Sequence, residues 1–106
     1  MKTTFLYSID CNETLKNKAL CSKIEELKNK TESKIKFKKI ELNEMLDFLL
    51  KNNINISYNY TEFFIILYDN QIIDGIMGDE INVLKLERFF KETLLKILEI
   101  KQNKIS

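Results

Sequence analysis

The chain reads as an α/β domain of three layers, a four-stranded mixed sheet with helices on both faces, in the order β-α-β-α-β-β-α. Three observations predict it. Apolar residues recur with a strand period and a helix period in alternation along the first half. Residues 61–78 (TEFFIILYDNQIIDGIMG) hold two apolar runs joined by Asp69-Asn70-Gln71, the pattern of a β-hairpin. Both glycines of the chain, Gly75 and Gly78, fall in that stretch, where they mark a bulge or close approach and the turn out of the strand.

Residues 3–8 (TTFLYS) are short and β-prone and form the first strand. The polar stretch 9–14 (IDCNET) connects it to a helix over about 14–29, with Asp10, Asn12 and Thr14 each able to cap it. Leu20, Ile24 and Leu27 form the apolar stripe of that helix, flanked by Leu15, Ala19 and Cys21. Residues 34–42 (KIKFKKIEL) alternate as a second strand, with a phase slip at Lys38-Lys39 that suggests a bulge or a twist. Asn43 is a candidate cap for a short helix carrying Met45, Leu46, Leu49 and Leu50, stopped by Asn52-Asn53. Residues 54–60 approach the hairpin as an extended loop.

After Gly78, Asp79 is the expected cap of a last helix over about 80–100. Val83, Leu86, Phe90, Leu94 and Ile97 share one stripe, widened by Leu84, Phe89, Leu95 and Leu98. Two readings of that broad face stand: deep burial, or a homodimer contact through the C-terminal helix. The expected organisation is one domain over 1–102 and a short tail over 103–106. The first two strands, joined through a helix, should be parallel with a right-handed crossover.

Composition bounds the function. The chain has 106 residues, 44% hydrophobic and 31% charged, with a formal net charge of +1 and both signs interspersed. That distribution offers no basic stripe for nucleic acid. Histidine is absent, which excludes a histidine triad, a histidine metal site and a histidine proton shuttle. No apolar run approaches the ~20 residues of a membrane span. No signal peptide is apparent, so the expectation is a cytoplasmic protein with reduced thiols.

The succession of elements resembles the thioredoxin fold, with its thioredoxins and glutaredoxins, over almost the whole chain. Phe5-Leu6-Tyr7-Ser8 followed by Cys11 resembles the first strand and active-site loop of glutaredoxins. The stretch from Phe37 to Leu42, followed by Asn43-Glu44, resembles the second strand and its turn. The run from Phe64 to Gly78 is similar to the family's hairpin. The family motif is Cys-x-x-Cys, or Cys-x-x-Ser in monothiol members; here Cys11-Asn12-Glu13-Thr14 stands in its place. The resemblance implies thiol–disulfide exchange through Cys11 as a monothiol, with Asp10, Asn12 and Thr14 as neighbours. It implies no bound cofactor, although glutathione or another low-molecular-weight thiol would serve as co-reactant, and a protein or small-thiol disulfide as partner. Where the family has a cis-proline, this chain offers Thr61, Glu62 or Phe63, and a trans backbone is expected because a non-proline cis bond costs ~2.5–4 kcal/mol. The competing reading is a non-catalytic interaction module on the same fold.

The residues themselves temper the redox reading. At the start of a helix Cys11 would gain from the helix dipole, while Asp10 and Glu13 oppose its thiolate, so a pKa near that of a free thiol is expected. Cys21, placed well into the helix at ~1.5 Å per residue, should lie beyond the ~7 Å Cα limit for a disulfide and be structural. Tyr58 and Tyr60 either line a groove or pack in the core. The two cysteines, without histidine, are too few for a metal site.

Overall fold

The computed structural model describes residues 2–56, 59–78 and 80–105. The elements are β1 (Thr3–Ser8), α1 (Leu15–Lys30), β2 (Ile35–Lys39), α2 (Leu42–Lys51), β3 (Phe63–Tyr68), β4 (Gln71–Met77) and α3 (Val83–Ile105). The four strands form one mixed sheet in the order β2-β1-β3-β4. β1 and β2 run parallel, from Thr3 opposite Ile35 to Tyr7 opposite Lys39. β3 is antiparallel to both β1 and β4.

β3 (FFIILY) is buried at every position because it is a central strand covered on both faces. Phe64, Ile66 and Tyr68 join Phe5 beneath α1 and α3. Phe63, Ile65 and Leu67 join Leu6 against Met45 and Leu49 of α2. The alternation of side chains along β1 and β3 therefore divides the core into two layers.

The hairpin turns on two residues, Asp69 and Asn70, with φ of 54° and 66°. Positive φ at both central positions is the type I′ condition, which Asp and Asn meet at little cost. The ladder passes from Leu67 opposite Ile72 to Ile66 opposite Asp74, so Ile73 is the extra residue of a bulge. Gly75 marks a close approach instead: a Cβ there would sit 2.5 Å from Ile65 Cδ1. Gly78 has φ of 122°, and its α-carbon faces the ring of Tyr60. Tyr60 thus packs in the fold, while Tyr58 lies outside the described residues.

Several boundaries differ from the sequence expectation. β2 ends at Lys39, and Ile40 N–H donates to Tyr7 O at 2.9 Å as the chain leaves the sheet. The phase slip at Lys38-Lys39 is therefore a strand end rather than a bulge. α2 starts at Leu42 with Glu41 at its N-cap, so Asn43 lies inside the helix. Asn53 adopts φ of 60° and ends α2, as a left-handed C-terminal residue does. α3 begins at Val83, with Asn82 Oδ1 accepting from Lys85 N–H at 2.8 Å, and continues to Ile105. The expected cap, Asp79, lies outside the described residues.

The wide apolar face of α3 is only partly used. Leu86, Phe89, Phe90 and Ile97 are buried, whereas Leu84, Leu95 and Leu98 are 66%, 60% and 51% exposed. Leu15 and Leu50 are also exposed, so each lies off the buried stripe of its helix.

Ion pairs join α1 to α3. Lys23 contacts Glu87 across the helices and Glu26 along its own, and Lys91 pairs with Glu87 at 3.0 Å. The Lys23 and Lys91 ammonium groups push the Glu87 carboxyl down to about 2 from 4.5. A depressed carboxylate adds stability that is present above its unfolded pKa and is lost as pH falls through the folded value. We predict that Glu87→Gln flattens the loss of stability between pH 4.5 and about 2. Urea midpoints measured across that window check this; a slope equal to wild type refutes it.

Candidate functional site

The site lies where the chain leaves β1. Residues 10–13 form a turn in which Glu13 N–H donates to Asp10 O at 3.3 Å and Asn12 N–H donates to Asp10 Oδ1 at 3.0 Å. Asp10 thus caps its own turn, a common use of a short carboxylate. Thr14 caps α1, its Oγ1 accepting from Asn17 N–H at 3.0 Å.

Cys11 sits in that turn, half-buried, and is bonded to Cys21 with S–S 2.04 Å and Cα–Cα 5.9 Å. This corrects two expectations. Cys11 is not a lone thiol, and Cys21 is its bonding partner rather than a distant structural residue. A separation beyond disulfide reach would hold only with Cys11 on the axis at the start of α1. In fact the turn folds back beside the helix. Cβ atoms on a helix tilt toward its N-terminus, so Cys21 leans toward that turn.

Lys39 comes to the site from the end of β2, with Nζ 3.7 Å from Cys11 Sγ. Parallel pairing puts the C-terminal ends of β1 and β2 side by side, with Tyr7 opposite Lys39. Lys39 lies 28 residues from Cys11 in sequence. At the two strand ends runs an open groove of about 520 Å³, lined among others by Asp10, Glu13, Lys39, Glu41 and Thr61. A crevice beyond the C-terminal ends of parallel strands is where open α/β sheets bind ligands.

Glu62 and Asn17 lie beneath the turn. Both are buried, at 6% and 1% exposure. Asn17 Nδ2 donates to Asp10 O at 2.8 Å and to Glu62 Oε1 at 3.4 Å. Thr61 Oγ1 donates to Glu62 Oε2 at 2.9 Å, and Gly78 N–H donates to Glu62 O at 3.1 Å. Asp10, Thr14, Thr61 and Glu62 are therefore joined through Asn17. Asn12 lies exposed on the turn, and Phe63 faces the opposite core layer, packed toward α2. No cis peptide bond occurs among the described residues, so Thr61 to Phe63 follow a trans path.

Sequence reasoning missed Lys39 and Asn17. Asn17 did leave a signal: it falls on the helical stripe of Leu20, Ile24 and Leu27, where a polar residue is out of place. Lys39 left none that a reading confined to sequence neighbours could use.

Chemically, the arrangement can hold a disulfide that links the turn to α1, beside an ammonium group and a groove. Among the described residues, no group of three or more side chains could hold a metal ion, and no helix is long and apolar enough to cross a membrane.

No protein-family model and no curated protein matches the chain. Solved structures do. One described as a malarial protein superposes with a TM-score of 0.60 at 14% identity, covering 89% of this chain and 99% of that one. Thioredoxin 1 from the thermophilic eubacterium Thermosipho africanus TCF52B superposes with a TM-score of 0.56 at 17% identity, covering 96% and 99%. The strand order, the two helices on one face and one on the other, and these superpositions together make the chain thioredoxin-like in fold.

Proposed function

We propose that the protein carries out thiol–disulfide exchange with Cys11 and Cys21 as a reversible couple. The observation that carries this reading is the bond between a cysteine of the β1–α1 turn and one within α1, with Lys39, which lines the neighbouring groove, 3.7 Å from the Cys11 sulfur. In the reduced protein the Cys11 thiolate attacks one sulfur of a substrate disulfide and expels the other as a thiolate. The Cys21 thiolate then attacks the Cys11 sulfur, closes the internal disulfide and releases the second substrate thiolate. The substrate gains two electrons and the protein loses them. Two equivalents of an external thiol such as glutathione reverse the change. An internal resolving cysteine replaces the external one that a monothiol site requires.

Cys11 is the attacking residue in this reading because it lies on the turn and has Lys39 beside it. A cation near a thiolate favours the charged form. The Lys39 ammonium is exposed, so the pair is worth about 0.2–1 kcal/mol, or about 0.2–0.7 pH units.

The test is reduction of a protein disulfide and of a small mixed disulfide by catalytic amounts of the chain with excess thiol. We expect turnover above the uncatalysed rate, abolished by Cys11→Ser. In a Cys21→Ser background, Lys39→Gln should raise the alkylation midpoint of Cys11 by about 0.2–0.7 pH units. Absence of turnover by the freshly reduced wild type would leave the interaction module on a disulfide-stapled fold as the better account.

A further inference from the structure

Asn17 stands out because it is polar at a position where the helix stripe calls for an apolar residue. It is 1% exposed, and its Oδ1 has no hydrogen-bond partner among the described residues. A buried, unsatisfied oxygen is unfavourable, so this side chain is not explained by packing. What it gains lies on the other atom: Nδ2 holds Asp10 O at 2.8 Å and Glu62 Oε1 at 3.4 Å. Asp10, whose carbonyl accepts that bond, is the residue immediately before Cys11. Cys21 is four residues after Asn17, the next position along the same helix face. Glu62 is fixed in turn by Thr61 Oγ1 at 2.9 Å and through its backbone by Gly78 N–H.

We propose that Asn17 and Glu62 act as positioning residues, a buried strut that holds the Cys11 turn against α1 within bonding reach of Cys21 when the pair is reduced. The disulfide itself fixes that distance in the oxidised protein, so the strut acts on the reduced state. Holding one thiol near the other raises their effective concentration and favours disulfide formation, in the way any pre-oriented intramolecular reaction is favoured. The bearing of the strut on turnover rests on the exchange reading above; its effect on the thiol–disulfide equilibrium does not.

The full chain and its variants are equilibrated in glutathione buffers, and the oxidised fraction is read by thiol trapping and mass. Asn17→Ala, which removes both bonds, is expected to lower the equilibrium constant for the Cys11–Cys21 disulfide by about tenfold, making the potential about 30 mV less negative. Glu62→Gln keeps an acceptor for Asn17 and a donor for Thr61, so its constant should stay within about twofold of wild type. A folded Asn17→Ala variant with an unchanged constant overturns the proposal. If Asn17→Ala lacks the far-UV circular dichroism of wild type, Glu62→Ala decides: a fall of about threefold or more supports the strut, and no fall overturns it. Wild type without turnover but with a shifted Asn17→Ala equilibrium would remove the exchange reading and leave the strut.

Discussion

Phe5→Ala is expected to destabilise the protein by about 3–5 kcal/mol, a large part of a whole stability of the order of 5–15 kcal/mol. Phe5 lies in the centre of β1 and is fully buried. Its ring is 5.2 Å from Phe37, 5.7 Å from Phe90 and 6.2 Å from Phe64, centroid to centroid. Those partners come from β2, α3 and β3, so one side chain ties three elements to the first strand. The Phe90 contact is edge-on at 67°, a favoured aromatic geometry. Truncation would leave a cavity bounded by rings held from separate elements, which cannot easily collapse into it. Urea denaturation of the oxidised protein measures the effect. A loss below about 1.5 kcal/mol would mean that the aromatic cluster repacks and that the sheet does not depend on it. Phe37 is the informative comparison, because it lies at the sheet edge and is only half-buried. Its truncation should cost clearly less than that of Phe5.

The order of elements was legible because it rests on local periodicity. The hairpin at 63–77 was the clearest piece, since β-branched and aromatic runs, a polar turn and a glycine all agree there. Boundaries were less legible where local and tertiary signals diverge. Lys38-Lys39 looked like a slip within a strand because Ile40 and Leu42 continue the apolar run, but those residues pack with α2 and its approach. Leu84, Leu95 and Leu98 looked like an extension of a buried face, yet a helix on a sheet buries only one side of itself.

The candidate site was legible in part. Cys11 and Thr14 were visible as loop cysteine and cap, and Glu62 was placed at the right turn for a different reason. The Cys11–Cys21 bond was not visible, because residues 10–13 fold beside α1, where Asn17 Nδ2 holds Asp10 O, a contact that no local propensity encodes. Lys39 depends on strand register, a long-range quantity. Both hidden features rest on tertiary contacts rather than on local periodicity.

Loss of the Cys11–Cys21 disulfide should be the second large effect. The bond closes a segment with a sequence separation of 10. In the chain-entropy view, closing about ten residues removes roughly 2.5–3 kcal/mol worth of freedom from the unfolded chain. For a domain of this size that corresponds to a fall in Tm of about 10–20 °C on reduction. The full effect appears only if the reduced native protein already holds both thiols in place, since otherwise the folded state also pays to bring them together. The strut through Asn17 and Glu62 supplies that placement. The experiment is thermal unfolding of wild type with and without a phosphine reductant, and of the Cys11→Ser/Cys21→Ser double variant. We expect the reduced wild type and the double variant to melt together, both well below the oxidised form. By the same thermodynamic cycle, the disulfide equilibrium constant should be about 100-fold greater in the folded protein than in urea, because each 1.4 kcal/mol is tenfold. A Tm that moves by less than about 3 °C on reduction would show that the reduced turn swings free of α1. In that case the Asn17 bond to Asp10 would be a consequence of the disulfide rather than the device that favours it.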